Sequence, residues 1–177
     1  MGPENPREDE LQNTQLMLDV AKNEYSSERE RKRDLETRAG ILIALVGVLI
    51  GIVLTTLDFS LVLKYKNIYA VIGMFLLWFF ILIAIILLLI SLFQFIKVLK
   101  VQQYGAIDLS FIDDQYRNEE ALGFQFEIAD SYKEIIIHNR ALNEEKVIKY
   151  NWGINFFKYA MVIYLPLIII VSIVKAY

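Results

Sequence analysis

Cysteine is absent from this 177-residue sequence, and histidine occurs once, at His138. Without cysteine there are no disulfides, thiolate metal sites or cysteine nucleophiles, and the chain suits a reducing compartment. His138 sits beside Ile135, Ile136 and Ile137 with no partner set for catalysis, so it reads as a packing or hydrogen-bonding residue. No nucleophile elbow, phosphate-cradling glycine loop or zinc-binding H-E-x-x-H pattern occurs. Asp113, Asp114, Glu119 and Glu120 lack the alternating ligands and central glycine of a calcium loop, and read as an acidic helix start. The expectation is a protein that is not an enzyme, with no cofactor and no metal. A net charge of −3 gives no reason to expect a nucleic-acid partner. The first 40 residues lack the apolar core of a signal peptide, and Pro6 occupies the position where a myristoylation signal needs Ser or Thr.

Charge is also missing locally. Residues 68–96 are 29 consecutive positions without a formal charge, 21 of them Leu, Ile, Val or Phe. About 20 apolar residues cross a hydrocarbon core, and each Leu, Ile, Phe or Val contributes roughly −0.3 to −0.6 kcal/mol to insertion, so this stretch is a membrane span. Residues 39–57 form a second uncharged run. Residues 156–174 form a third, broken by Lys158, which can snorkel to the interface, and by Pro166, which is expected to kink the helix. The fold class is therefore an all-α membrane protein with three transmembrane helices and a long cytoplasmic helical stalk. Its segments are a charged helix (1–38), span 1 (39–57), an external loop (58–67), span 2 (68–96), a cytoplasmic helical region (97–155), span 3 (156–174) and an external end (175–177).

Orientation follows from Arg29, Arg31, Lys32, Arg33 and Arg38 before span 1, against Lys64 and Lys66 after it. Five basic residues against two place the N-terminus in the cytoplasm of a multi-pass inner-membrane protein. The basic cuff has two readings: contact with anionic lipid headgroups, or a site for a phosphate-bearing ligand. Within span 1, Gly40, Ala44, Gly47, Gly51 and Thr55 recur at steps of three and four, laying small residues along one face. In lipid, close backbone approach of this kind holds helices together, so the stripe is a packing or oligomer face whose partner is another span or another copy. If the spans line a conducting path, Thr55, Thr56, Ser91 and Gln94 are its candidate polar positions.

The polar segments are helical too. Leu11, Thr14, Leu18, Ala21 and Tyr25 fall at alternating spacings of three and four, and the register resumes at Leu35 and Ala39, with Glu28 and Lys32 occupying it between. This is a coiled-coil seam weakened at two positions, or a connector helix without a specific partner. Span 2 is expected to continue as helix through Lys97, Lys100 and Gln103 until Gly105 breaks it. A further helix from about Tyr116 carries Ile128, Ile135 and Leu142 a heptad apart, flanked by Tyr132, Ile136 and Asn139. It passes Trp152 and Gly153, an interface marker and a point where the helix could bend, into span 3. The two polar helices then run parallel toward the membrane.

The run Arg33-Asp34-Leu35-Glu36-Thr37-Arg38-Ala39-Gly40-Ile41-Leu42, the tight two-span hairpin, and a helix carrying Tyr132, Asn139, Asn143 and Lys146 before a last span resemble the small prokaryotic membrane effectors of the SLATT and Pycsar transmembrane kind. Two departures stand out: SLATT proteins are typically two-span, and no separate cyclic-nucleotide-binding domain is attached here. The resemblance implies an oligomeric pore or membrane disruptor of an anti-phage defence system. Its control would come from a nucleotide or oligonucleotide made by a partner nucleotidyltransferase or cyclase. The competing expectation is a non-enzymatic membrane adaptor whose stalk recruits a cytoplasmic protein partner.

Overall fold

The computed structural model describes residues 6–56, 68–100, 102–106 and 121–176. The expected loop over 58–67 with Lys64 and Lys66, the acidic run at 113–120, the helix start at Tyr116, the Thr56 side chain and the C-terminal Tyr177 lie outside the described residues. Three helices are present among them: α1 (Pro6–Thr56), α2 (Ile68–Leu99) and α3 (Ala121–Ala176). All three are long and apolar enough to cross a membrane. The chain divides into two compact units, one apolar (Leu35–Lys100 and Lys146–Tyr177) and one polar (Met1–Asp34 and Val101–Glu145).

The apolar unit packs the three helices along seams spaced by three and four residues. Ala39, Val46 and Val53 come from α1, Ile81, Ala84, Leu88, Phe95 and Val98 from α2, and Ala160, Tyr164, Leu167 and Val171 from α3. That spacing is the knobs-into-holes repeat of near-parallel and antiparallel bundles. The outside is as apolar as the inside: Ile41, Leu45, Leu82, Leu89, Val162 and Ile169 are all exposed. Only 17–22% of the most apolar window of each helix is buried. A surface of this kind is stable where its surroundings are themselves apolar, as in a bilayer.

Two contacts fix α3 against α2. The Ser91 hydroxyl donates to the Gly153 carbonyl at 2.8 Å, and the Phe95 ring lies so close to Gly153 that a Cβ there would stand 2.6 Å from it. Gly153 is thus a point of close helix approach, and α3 runs through it, and through Pro166, as one helix. At the polar end of this unit, Lys146 is buried and paired with Glu36.

In the polar unit the seam of α1 is occupied from Thr14 onward, whereas Leu11, expected to begin it, is exposed. Thr14 and Glu28 are buried and Leu18, Ala21, Tyr25 and Lys32 half-buried, with the Tyr25 ring meeting Tyr132 of α3 edge-on at 5.6 Å. Pairs at Glu24–Arg140, Glu28–Asn143 and Arg31–Glu144 climb both helices together, so α1 and α3 run parallel here. Glu, Lys, Arg and Gln are good helix formers, which lets α1 pass through its charged middle without a break. The end of α2 departs from the expectation. The helix stops at Leu99 rather than Gln103, and the Lys100 amide closes a tightened last turn on the Lys97 carbonyl. The backbone beyond it is held by side chains of α3, as follows.

Candidate functional site

The densest set of specific polar contacts lies in the polar unit, where α1, residues 102–106 and α3 meet. Glu28 is its centre. Burial alone would raise its carboxyl pKa, but hydrogen bonds from Asn143 and Arg140, with the charges of Arg31 and Arg140, hold it below the usual carboxylate range. The Asn143 amide donates to the Glu28 carboxylate at 2.7 Å and to its carbonyl at 2.9 Å, while its own oxygen accepts the Tyr104 hydroxyl at 2.6 Å. Arg140 donates to Glu28 and to Glu24, each at 3.0 Å, and Arg31 donates to Glu144 at 2.7 Å.

One turn earlier on α3, Asn139 grips the Gly105 backbone twice. Its oxygen accepts the Gly105 N–H at 2.9 Å and its amide donates to the Gly105 carbonyl at 3.2 Å. His138 meets the Gln103 carbonyl at 3.2 Å, Gln102 donates to Glu145, and Lys32 lies 3.8 Å over the Tyr104 ring. Ile135 comes within 3.1 Å of where a Cβ on Gly105 would stand, which favours glycine at this point of approach. Asn139 and Asn143 are both essentially inaccessible. The knot fastens three pieces of chain together, and most of its oxygens and nitrogens are engaged with one another, the buried Gln102 Oε1 being left without a hydrogen bond among the described residues.

The expected site residues fall in different places. Arg31 and Lys32 belong to the knot, whereas Arg29 and Arg33 line a shallow depression of about 200 Å³ with Ser26 and Glu30. Arg38 is exposed on the apolar unit. Among the described residues, nothing packs against the small-residue face. Ala44, Gly47, Gly51 and Thr55 are exposed, Gly40 is half-buried, and nothing lies within 4 Å of a Cβ built on Gly40, Gly47 or Gly51. Span 2 and span 3 meet α1 instead on the Ala39–Val46–Val53 side. Of the polar span positions, Thr55 bonds back to the Ile52 carbonyl, Ser91 is engaged with Gly153, and Gln94 is half-buried.

Sequence reasoning passed over Glu28 as a weak point in the seam. A polar residue at an internal heptad position is itself a signal, since it specifies a buried polar partner, and Asn139 and Asn143 hold the matching positions on α3. A second feature was also missed: an open groove of about 690 Å³ between α1 and α3 of the polar unit, walled by Leu16, Met17, Val20, Phe126, Ile136 and Ile137. Among the described residues, no three His, Cys, Asp or Glu side chains converge as a metal site requires.

No protein-family model, no curated protein and no solved structure matches this chain.

Proposed function

We propose that the protein is a non-enzymatic, homo-oligomeric membrane effector. Copies associate through α1 in the inner membrane, N-terminus inward, and the assembly breaches the bilayer under control of the polar unit acting as a cytoplasmic stalk. The observation that carries this reading is the uncovered small-residue face. A glycine inside a helix costs about 1 kcal/mol relative to alanine, yet among the described residues nothing lies within 4 Å of a Cβ built on Gly47 or Gly51. Close approach of another backbone in lipid gives those glycines a purpose.

A single copy offers ions no path, because Val46, Val53, Ala84, Leu88 and Phe95 fill the space between its helices. Conduction therefore needs a ring of copies, with Thr55 and Gln94 among the polar groups available to line it. The resemblance to prokaryotic defence effectors supplies the trigger in this reading, a nucleotide-type anion from a partner enzyme. Arg29 and Arg33, side by side on the polar unit, are the basic groups to receive it.

A second reading, a membrane adaptor that recruits a soluble partner, is favoured by the exposed groove of the polar unit. Membrane potential and growth of cells expressing the chain, alone and together with its genomic neighbours, separate the two. Depolarisation or arrest under any combination supports the effector. Full potential and normal growth under all of them leave the adaptor.

A further inference from the structure

We infer that α3 carries a binding site for an anionic phospholipid, with the headgroup phosphate held by Asn151, Asn155 and Lys158 and the acyl chains lying along Val162, Leu165 and Ile169. The inference concerns the apolar unit alone and does not depend on how copies assemble.

These six residues recur along α3 at alternating steps of four and three, so they share one face of the helix. All six are exposed, and the opposite face carries the buried Gly153, Ala160 and Leu167. The stripe changes character along its length. Its first three positions bear N–H donors and its last three are hydrocarbon, which is the order of parts in a lipid read from headgroup to tail. Trp152 and Tyr159, 56% and 63% exposed, flank the polar part, and such rings favour headgroup depth.

The polar part is unsatisfied within the chain. Asn151, Asn155 and Lys158 engage no hydrogen-bond or ionic partner among the described residues. A lone ammonium in a span is costly and needs a counter-charge. Helical side chains lean toward the N-terminus of their helix, so Lys158 reaches back about one turn, toward the level of Asn155. Ammonium and amide donors at one level suit a phosphate, whose oxygens accept several hydrogen bonds at once.

Charge and register narrow the occupant. Along α3 the acid nearest to Lys158 is Glu145, 13 positions earlier, or about 20 Å of helix. Among the described residues of the apolar unit Glu36 is the one acid, and it is paired with Lys146. A second copy packed two-fold and parallel on this stripe would set Lys158 against Lys158 with no acid between them, and like charges repel strongly where the permittivity is low. A zwitterionic lipid brings its own cation to the phosphate. An anionic phospholipid does not, and one molecule of it matches both parts of the stripe.

Trp152 reports the site. The full chain carrying Trp78→Phe, which leaves Trp152 as the sole tryptophan, is reconstituted in phosphatidylcholine vesicles with equal small fractions of acyl-brominated phosphatidylglycerol or acyl-brominated phosphatidylcholine. Quenching should show phosphatidylglycerol enriched at Trp152 about fivefold, the effect of one basic residue at an anionic surface. Lys158→Gln should abolish the enrichment, and Lys100→Gln, on α2, should leave it unchanged. Lys158 is exposed and makes no contact that folding needs, so an unchanged circular-dichroism spectrum is expected for its substitution. Equal quenching by the two lipids overturns the inference. So does an enrichment that survives Lys158→Gln, or that Lys100→Gln reduces as much, because the basic residues of this end then attract the lipid without a site. Lys158→Cys has no background in a chain without cysteine. Disulfide-linked dimer as its main product on oxidation in native membranes means that a second copy occupies the stripe, and this too overturns the inference.

Discussion

Two glycines of similar chemistry should respond to the same substitution with opposite signs. At Gly153 a Cβ would stand 2.6, 2.8 and 3.0 Å from three ring atoms of Phe95, where carbon atoms normally rest about 3.5–4.0 Å apart. The Phe95 side chain is fully buried and cannot swing aside, so Gly153→Ala must push α2 and α3 apart. Overpacking of this size costs about 1–3 kcal/mol. The shift also strains the Ser91–Gly153 bond, of a type that averages about 0.6 kcal/mol in membrane bundles. Against this stands a helix-propensity gain of roughly 1 kcal/mol for Ala over Gly. The clash wins, with a net loss of about 1–2 kcal/mol. At Gly47 nothing lies within 4 Å, so Gly47→Ala keeps the propensity gain with no clash. In a protein of this size 1 kcal/mol corresponds to roughly 2–4 °C. Thermal unfolding of the detergent-solubilised monomer, followed by circular dichroism, should show Gly153→Ala melting lower and Gly47→Ala slightly higher than the parent. Phe95→Leu should relieve Gly153→Ala, so that the double variant loses less than the sum of the two single losses. Equal shifts for Gly153→Ala and Gly47→Ala, or strict additivity with Phe95→Leu, would refute the packing of α2 on α3 described above.

The polar knot gives a pH dependence with a definite sign. Because the Glu28 pKa is lowered on folding, its stabilisation is fully present above the ordinary carboxyl value of 4.5 and is lost as pH falls through the folded value. Acid should therefore loosen the polar unit, and Glu28→Gln should flatten that dependence at a cost of about 1–3 kcal/mol at neutral pH, as urea titrations at several pH values would reveal. Asn139→Ala should free the Gly105 backbone, and hydrogen exchange at the Gly105 amide should quicken while amides in the middle of α2 stay protected. For topology, a cysteine at Lys64 should react with an impermeant maleimide in intact cells and one at Asp19 should not; the reverse pattern would invert the protein.

Much of the fold can be read from periodicity alone. The three uncharged runs announce three apolar helices because in lipid the backbone must satisfy itself, and a helix is the simplest way to do so. The α1 stripe from Thr14 to Ala39 could be read because a seam leaves its spacing in the sequence whether or not its members are apolar. The end of α2 was less legible. Nothing local stops a helix at Leu99, and it is Asn139 and His138, more than thirty residues further on, that take up the backbone after it. Gly153 and Gly47 look alike in sequence, and only the position of Phe95 distinguishes a glycine pressed by a ring from one facing outward. The groove was invisible for a similar reason. Leu16, Met17 and Val20 lie off the seam, and their grouping with Phe126 and Ile137 depends on how α1 and α3 pair.

If copies of this chain open a path through the membrane together, as proposed above, ion flux from liposomes reports it. Purified protein is reconstituted over a wide range of protein-to-lipid ratios, in the parent form and as Gly47→Leu. If the open assembly is a minor state separated by a few kcal/mol, it is still populated at roughly 0.1–10%, enough to be seen over many copies. Flux should rise more steeply than protein density and be lost in Gly47→Leu, since the proposed path needs several copies and leucine on that face blocks close helix approach. Flux strictly proportional to density, flux unaffected by Gly47→Leu, or none at any density would contradict it.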